Sequence, residues 1–464
     1  MNIEVYERAR LARDARFDGR FFIGVTSTGI YCRPICPAPS PKPQNVRYYP
    51  SAAAAAEAGF RPCLRCRPEA SPGTPAWLGA SASVSRALRL IAESALDDGG
   101  VEHLAERLGM GSRHLRRLFL RYLGATPVAV AQTRRVHFAK NLIDETSLPM
   151  TQIAMAAGFG SIRRFNATFQ KLYARTPLEL RKANRRELNG SAGQYTFRLG
   201  YRPPYDWDSL IGFLGARAIP GVERVTPGEY RRTIFIDGKA GSITVQPVRG
   251  KDSLELRIRY PDPGSLFRIV ERVRKIFDAG ADPAEVAAHL SRDRTLKPMV
   301  RAHPGLRVAG CWDGFEMTVR AILGQQVSVK GASTMAGRVA TAYGTAHEDG
   351  VLFPRAEVLA DKDLTGVGVT RQRARSIREL AEAVASGDIA FDGALDPQQF
   401  EERITRIPGI GPWTAQYVAM RLGEPDAFPA GDLYLRDVAA NTDNWRPWRA
   451  YAAMYLWRRS QDEV

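Results

Sequence analysis

The sequence predicts a multidomain protein, mainly α with α+β parts. At roughly 150 residues per domain, a chain of 464 residues allows about three domains. Apolar residues recur three and four apart over 83–185 and again from 264 onward, which is typical of amphipathic helices. Between these stretches, residues 194–260 alternate in polarity or carry β-branched and aromatic runs between turns, which indicates antiparallel strands.

Composition restricts the partner and the compartment. The net charge of +17, with a pI of about 9.9, favours a polyanionic partner, either nucleic acid or an anionic membrane surface. No stretch approaches the ~18 uninterrupted apolar residues of a membrane-spanning helix. The first residues, MNIEVYERARLARDARF, are too charged for a signal peptide. We therefore expect a cytoplasmic, nucleoid-associated protein whose thiols stay reduced and which has no membrane partner.

Four of the five cysteines occur in two close pairs. GIYCRPICPAP contains Cys32 and Cys36, and RPCLRCRPE contains Cys63 and Cys66. C-x3-C and C-x2-C spacings let each loop supply two thiolates, so the four together predict a tetrahedral Zn²⁺ site. Two buried thiol pairs, or a redox pair at Cys63 and Cys66, are the alternatives. Cys311 stands alone in AGCWDGFE.

The residues around these cysteines are more specific than the spacing. STGIYCRP, NVRYY and AGFRPC, with the CxxC pair, resemble the N-terminal zinc domain of the Ada adaptive-response family over residues 1–70. The resemblance implies a small zinc-bound α/β domain in which Cys32 is the catalytic cysteine that accepts a methyl group from a methylated DNA phosphate. The other three cysteines would hold the metal. A purely structural zinc is the competing interpretation.

A Ser/Pro/Gly-rich stretch, SPGTPAWLGAS, predicts a linker over 71–82, followed by an all-α domain over 83–186. Its sequence contains two similar units, 101–127 and 150–177. Each has a short helix, a glycine turn at Gly109 or Gly158–Gly160, and a basic amphipathic helix, which is the pattern of a helix-turn-helix. Ser112 and Ser161 are the predicted N-caps of the second helices.

The second unit, AGFGSIRRFNATFQKLYARTP, resembles the signature of the AraC-type double helix-turn-helix DNA-binding domain. The resemblance implies sequence-specific binding to promoter DNA and transcriptional control, with RNA polymerase as a further partner. We expect four arginines at the DNA: Arg113, Arg116, Arg163 and Arg164. Each is alternatively a solvated surface charge or a phosphate contact.

After a second linker, 187–193, the sequence predicts a β-rich subdomain over 194–278 and a helical domain over 279–464. EERITRIPGIGPWTAQYVAMRL predicts two helices around a hairpin, where Gly409 and Gly411 let backbone N–H groups approach a DNA phosphate. Together with HPGLRVAGCWDGFEMTVRAILGQQVSV, PAGDLYLRD and WRPWRAYAAMYLWR, it resembles AlkA-like 3-methyladenine DNA glycosylases of the helix-hairpin-helix superfamily over roughly 194–459.

This second resemblance implies a glycosylase site. Asp432, in PAGD at the start of a helix, would be the catalytic carboxylate that stabilises positive charge on the sugar. Asp426 and Asp437 are the alternative candidates for this catalytic role. The alternative interpretation of Asp432 itself is an ordinary helix N-cap. Trp413, Tyr417 and Trp457 match the family's base-binding positions, and Gln326 matches the position that fills the gap left by the flipped base. Core packing would also explain the three aromatic residues. Trp413 occupies the region of the nucleophilic Lys of related lyases, so a monofunctional, hydrolytic enzyme is expected.

DLYLRDVAANTDN, which follows, is shorter than in that family, and loss of packing there would loosen the geometry of Asp432. No Pro-Cys-His-Arg motif of an O6-alkylguanine transferase occurs in the sequence. The sequence therefore predicts a DNA alkylation repair and response protein that binds Zn²⁺ and acts on alkylated and promoter double-stranded DNA. It would excise 3-methyladenine and 7-methylguanine. The alternative is a methylation-activated regulator with a weak or inactive glycosylase half.

Overall fold

The computed structural model describes residues 2–72, 82–93, 95–183, 193–436, 438 and 442–462. Two compact units are present: residues 1–203, 248–271 and 279–281 form the first, and residues 204–247, 272–278 and 282–464 form the second. Most of the predicted linkers 71–82 and 187–193 lies outside the described residues. Among the described helices, none has both the length and the apolar character needed to cross a membrane.

A small mixed sheet with strand order β3-β1-β2-β4 organises the first 70 residues. Its elements are α1 (Ile3–Leu11), β1 (Phe22–Val25), β2 (Ile30–Cys32), β3 (Val46–Tyr49), α2 (Ala52–Glu57) and β4 (Arg61–Pro62). All four residues of β1 are buried, because α1 covers one face around Phe21 and Ile23 while α2 covers the other around Phe22 and Tyr31. The parallel pairing of β2 with β4 brings the two cysteine-bearing loops to the same edge.

Residues 82–183 are helical, as the apolar periodicity predicted. The helices are α3 (Ala82–Ala92), α4 (Ala95–Asp98), α5 (Gly100–Arg107), α6 (Ser112–Leu123), α7 (Pro127–Glu145), α8 (Met150–Ala156), α9 (Ile162–Tyr173) and α10 (Pro177–Ala183). Helices α6 and α9 bury residues four apart, Phe119 in α6 and Phe165 and Phe169 in α9 among them, and expose basic side chains on the opposite face. The 19-residue helix α7 connects the two helix-turn-helix units.

The first unit also contains an antiparallel strand pair, β5 (Gln194–Gly200) and β9 (Ser253–Arg259), with Phe197 opposite Leu256. Phe138 of α7 packs against this pair. Its ring lies 6.1 Å from that of Phe197 and 5.0 Å from that of Phe267, edge-on in the second case. These aromatic contacts fix α7 from the side of the strands.

The second unit begins with α11 (Trp207–Ala216) and an antiparallel meander of β6 (Glu223–Thr226), β7 (Glu229–Ile236) and β8 (Lys239–Pro247). The strands β5 to β9 lie within the stretch 194–260 that was predicted to form antiparallel strands, whereas the short hairpin of β10 (Thr345–His347) and β11 (Gly350–Leu352) was not predicted. The remaining helices are α12 (Leu266–Ile276), α13 (Pro283–Leu290), α14 (Leu296–Ala302), α15 (Gly314–Leu323), α16 (Val329–Tyr343), α17 (Ala356–Leu359), α18 (Arg371–Ala385), α19 (Pro397–Ile404), α20 (Pro412–Arg421) and α21 (Arg449–Asp462).

A buried ion network joins the meander to α15. Arg232 on β7 contacts Glu316 on α15 at 2.6 Å, and Arg320 on α15 contacts Glu223 on β6 at 3.2 Å. Buried pairs of this kind add little net stability, but removal of one partner leaves an uncompensated charge. The network therefore anchors α15, whose last residue, Leu323, lies two residues before Gln325.

Candidate functional sites

The four paired cysteines form one cluster. Cys32 ends β2, Cys36 lies in the turn after it, and Cys63 and Cys66 lie in the turn after β4. Their sulfur atoms all lie within 4.8 Å of one another. Thiolates at about 2.3 Å from a tetrahedral Zn²⁺ would lie roughly 3.8 Å apart, so this donor set fits zinc. Cys311 belongs to the other unit, where burial raises the pKa of its thiol to about 12.

The cysteines differ in exposure and in hydrogen bonding. Cys63 and Cys66 are buried, whereas Cys32 and Cys36 are partly exposed. The backbone N–H of Arg33 donates to Sγ of Cys66 at 3.3 Å, and the Arg33 guanidinium is held by Asp18. A donor at sulfur withdraws electron density from the Cys66 thiolate. The more exposed Cys32 is therefore better suited than Cys66 to reach a substrate.

The cysteine-bearing sheet packs on α7 through polar groups. The Tyr31 hydroxyl lies 3.0 Å from Nε2 of His137. Arg67, next to Cys66, contacts Asp144 at 3.0 Å and Glu145 at 3.4 Å. Lys140 completes the network through Asp144 at 2.5 Å and Glu69 at 3.6 Å. Residues adjacent to two metal ligands thus contact the helix that connects the two helix-turn-helix units.

The four predicted DNA-contacting arginines are exposed on second helices. Arg113 and Arg116 lie on α6, and Arg163 and Arg164 lie on α9. Positive φ values at Gly109 (68°) and Gly158 (75°) support the predicted turns. Arg116 also pairs with Glu102 at 3.0 Å.

One of the two predicted N-caps is wrong. Ser161 caps α9 by accepting the N–H of Arg164 at 3.2 Å. Ser112 is instead the first residue of α6, and Gly111 occupies the cap position without a side-chain hydrogen bond. Glycine is itself tolerated at the N-cap, so the boundary moves by one residue.

The glycine hairpin lies between α19 and α20. Gly409 has φ of 86°, and a Cβ there would lie 2.3 Å from Oγ of Ser376, so this position requires glycine. Gly411 is the N-cap of α20, and a Cβ there would meet open space. The hairpin backbone at Gly411 is therefore accessible to a ligand.

Asp432 and the three predicted pocket aromatics lie together. The indole N–H of Trp457 donates to Oδ1 of Asp432 at 3.0 Å. The rings of Trp413 and Tyr417 are stacked at 5.5 Å, and Tyr417 meets Trp457 edge-on at 6.1 Å. Asp426 is instead engaged by Arg449 at 2.8 Å, and Asp437 lies outside the described residues.

The expectation that Asp432 starts a helix is not met in the described residues 432–436, which form turns. The carboxylate accepts the backbone N–H of Tyr434 at 3.0 Å, and the Asp432 carbonyl accepts that of Arg436 at 3.0 Å. A local turn therefore supplies the N–H donor that a helix N-terminus was expected to supply.

Gln326 lies in the connection between α15 and α16. Its side chain is exposed, and its φ of 53° is uncommon for a residue with a Cβ. Gly324 ends α15, and Ser328 caps α16. The backbone therefore projects Gln326 outward from a short turn between two helices.

The sequence interpretation missed an arginine cluster behind the aromatic rings. Arg421 donates to the Tyr417 hydroxyl at 3.0 Å and to the carbonyl oxygens of Ala309 and Gly310 at 2.6 and 2.8 Å. The Arg217 guanidinium lies 3.7 Å from the ring centre of Phe213. Burial raises the pKa of Tyr417, but Arg421, Arg217 and Arg320 outweigh it, so the net shift is downward. The arginine at the end of the otherwise apolar YVAMR segment was the available sequence signal.

Four family models match the chain. The metal binding domain of Ada matches residues 6–69, and a helix-turn-helix domain matches 104–183. The AlkA N-terminal domain matches 196–313, and the helix-hairpin-helix superfamily of base excision DNA repair proteins matches 319–458. The cysteine cluster, the basic helices and the Asp432 site each fall inside one of these regions.

Relatives match the whole chain or its second half. The "Probable bifunctional transcriptional activator/DNA repair enzyme AlkA" of Mycobacterium tuberculosis is 42% identical over 479 residues, covering 98% of this chain and 96% of its own. "DNA-3-methyladenine glycosylase 2" of Escherichia coli is 32% identical over 277 residues, covering 56% and 96%. A 3-methyladenine DNA-glycosylase structure from Archaeoglobus fulgidus covers 57% of this chain and 98% of its own, with TM-score 0.50 and 21% identity, which supports the fold alone.

The fold and the sites define a zinc-binding, DNA-binding repair and regulatory protein that contains a helix-hairpin-helix glycosylase fold. More particularly, the chain belongs to the family of bifunctional transcriptional activator/DNA repair enzymes AlkA.

Proposed function

We propose that this protein excises alkylated purines, such as 3-methyladenine and 7-methylguanine, by hydrolysis, and that it accepts methyl groups from DNA phosphotriesters at Cys32. The observation that carries the first activity is the bond from Trp457 to Asp432 beside the stacked rings of Trp413 and Tyr417. It places a carboxylate at the edge of an aromatic cluster.

The aromatic cluster suits a flipped, alkylated base. A base must leave the duplex before its glycosidic bond can be reached. 3-Methyladenine and 7-methylguanine are cationic in DNA, and an aromatic face attracts a cation. Nε1 of Trp413 is buried and has no hydrogen-bond partner among the described residues. Because this N–H is buried, the ring faces and not this donor would contact the base.

Asp432 would act on the sugar. As the bond between C1′ and the base nitrogen breaks, its electron pair leaves with the base and positive charge develops on the sugar. An ionised carboxylate held by the N–H groups of Trp457 and Tyr434 stabilises that charge without reorganising. Water then bonds to C1′ and loses a proton. Gln326, exposed on its turn, would fill the gap left by the flipped base.

The cysteine cluster supports the second activity. Zinc bound there would keep the thiolates deprotonated and nucleophilic at neutral pH. Sγ of Cys32 attacks the methyl carbon, the S–C bond forms as the methyl–oxygen bond breaks, and the phosphate leaves as a diester anion. Conversion of one thiolate to a thioether removes one negative charge from the site. Repulsion from DNA therefore weakens, so methylation would raise affinity for promoter DNA and recruitment of RNA polymerase.

The first experiment measures release of 3-methyladenine and 7-methylguanine from methylated duplex DNA by the native protein, Asp432→Asn and Asp443→Asn. Asp443 is the matched control because its side chain is 91% exposed and pairs only at the surface in the described contacts. We expect release by the native protein and Asp443→Asn but not by Asp432→Asn. No release by native protein that is folded and binds DNA would favour the alternative, a regulator with an inactive glycosylase half.

The second experiment measures intact mass and peptide masses after incubation with DNA that carries methylphosphotriesters. We expect one added methyl group on Cys32 and none in Cys32→Ser. An unchanged mass for zinc-loaded native protein would mean that the zinc is purely structural. Unchanged promoter affinity after methylation would refute the regulatory part of the proposal.

A further inference from the structure

The turn that carries Gln326 is tied to the glycine hairpin by its neighbour, Gln325. Nε2 of Gln325 donates to the carbonyl of Gly409 at 2.8 Å and lies 3.1 Å from Oγ1 of Thr414. Thr414 is buried in the first turn of α20, adjacent to Trp413. One amide side chain therefore contacts both the hairpin and the start of the helix that carries two pocket aromatics.

Helix α18 holds the same two loops from behind. The guanidinium of Arg373 donates to the carbonyl of Gln325. Oγ of Ser376, three residues later on α18, donates to the carbonyl of Pro408 at 2.6 Å. Because residues three apart lie on one face of a helix, α18 fixes both loops, and the Gln325 side chain closes the connection between them.

We propose that Gln325 is a positioning residue that sets the distance between the gap-filling side chain of Gln326 and the phosphate-binding hairpin. This inference rests on the proposed glycosylase function. The hairpin would hold the DNA backbone while Gln326 enters the stack. A change in the distance between the two would misplace the gap-filling group while leaving each element intact. The hydrogen bonds of the Gln325 side chain in the described residues go to Gly409 and Thr414, not to Asp432 or the three pocket aromatics.

The mechanism makes a selective prediction. Gln326 matters most when extrusion of the lesion breaks a stable base pair, because the opposite base then needs a new partner. Displacement of a group by about 1 Å can cost on the order of 100-fold in rate. We expect Gln325→Met to lower the single-turnover release of 7-methylguanine opposite cytosine by roughly 10- to 100-fold. The loss should be much smaller when the lesion lies opposite an abasic-site analogue.

Three further variants of the full-length, zinc-loaded protein make the test specific. Gln325→Glu retains the shape but cannot donate to the Gly409 carbonyl, so it should behave like Gln325→Met. Gln398→Met is the matched control, because this exposed glutamine donates its side-chain amide to Glu402 within α19. The double variant Gln325→Met, Gln326→Ala should be no slower than Gln326→Ala alone, because groups that act through one another are non-additive.

A fluorescence readout is independent of catalysis. 2-Aminopurine next to an abasic-site analogue in duplex DNA reports whether the gap is filled on binding. We expect Gln325→Met and Gln326→Ala to reduce the native signal change equally, with no further loss in the double variant. Additive effects, or equal rate losses on both substrates, would overturn the positioning role. Absence of base release by the native protein would refute the glycosylase proposal, whereas the fluorescence result would still decide the role of Gln325.

Discussion

The phenol of Tyr31, one residue before Cys32, is hydrogen-bonded at 3.0 Å to Nε2 of His137 on α7. Burial, with Glu69 nearby, raises the pKa of Tyr31, and burial lowers that of His137, so both groups are neutral at pH 7. The bond therefore joins a neutral phenol to a neutral imidazole. A methyl group on Cys32 would therefore be one residue from a direct contact with α7, the helix that connects the two helix-turn-helix units.

Loss of the bond between Tyr31 and His137 should reduce the effect of Cys32 methylation on DNA affinity. In Tyr31→Phe the ring remains packed edge-on against Phe22, with only the hydroxyl removed. We expect a smaller ratio of promoter affinities between methylated and unmethylated protein than in the native chain. Tyr48→Phe, which removes a hydroxyl that bonds to Glu7 within the zinc domain, is the control. An unchanged ratio in Tyr31→Phe would show that charge alone transmits the effect.

The same contact predicts a pH dependence. Burial lowers the pKa of His137 to about 4 from 6.5, with Glu69 opposing the shift and Lys140 adding to it. The unfolded chain therefore binds a proton below pH 6.5 that the folded chain does not bind until about pH 4. The contribution of His137 to stability is full above pH 6.5 and falls by about 1–2 kcal/mol on going to pH 5. Hydrogen exchange of α7, corrected for intrinsic rates, should show this loss in the native protein and not in His137→Gln.

Metal removal should unfold the cysteine-bearing edge of the sheet. Strands β2 and β4 pair over only two residue pairs, and the bonds from Arg33 to Cys66 are a further link between their loops, so bound zinc should add much of the stability of this edge. Structural zinc can contribute on the order of 10 kcal/mol to small domains. We expect chelation, or Cys63→Ala, to abolish exchange protection in residues 30–36 and 61–67. The proposed base release at Asp432 should continue, and its loss on chelation would contradict this prediction.

The orientation of Asp432 should depend on Trp457. Trp457→Phe keeps an aromatic ring but removes the N–H donor at 3.0 Å. We expect the single-turnover rate of base release to fall roughly 10- to 100-fold, with a smaller change in DNA affinity. Trp445→Phe is a matched control, because that indole donates to Asp293 at 2.9 Å. Equal losses in the two variants would indicate a general packing effect.

The salt dependence of DNA affinity should show what the exposed arginines of the second helices contact. If Arg163 contacts a phosphate, Arg163→Ala should weaken binding to all sequences and reduce the slope of log affinity against log salt by about 1. If it reads a base, specificity should relax at one position, with a cost of about 1–3 kcal/mol. Arg175→Ala, which also removes one arginine from this domain, is the control. No change in slope or specificity would mean that Arg163 is a solvated charge.

Local patterns could be predicted from the sequence, and long-range contacts could not. Each cysteine pair and the glycine hairpin depend on spacings of a few residues, and the two pairs were expected to meet because Zn²⁺ takes four ligands. Both features form as expected. The donor to Asp432 from Trp457 lies 25 positions away, and the bonds from Gln325 to the hairpin span more than 80. No periodicity reports contacts at such separations.

The buried charge of Arg421 was the other feature that could not be predicted from the sequence. Arg421 is 2% exposed, although arginine is normally an exposed residue. Hydrogen bonds to two backbone carbonyls and a phenol offset the desolvation of its guanidinium, and only the folded chain brings these groups together. The Ser112 cap failed for a smaller reason, since two adjacent residues were both acceptable as caps.

The length of helix α7 should set the spacing between the DNA contacts of the two helix-turn-helix units. Its 19 residues form one continuous helix between the two helix-turn-helix units, and it contacts Tyr31 through His137 and the strand pair through Phe138. Each residue of a helix advances the chain by about 1.5 Å and turns it by about 100°. Insertion of one residue in α7 would therefore rotate α9 by more than a quarter turn relative to α6. The length of α7 should therefore determine the spacing between the two halves of a DNA site that the protein binds. DNA sites with a different spacing should bind weakly, even if the sequence of each half is optimal.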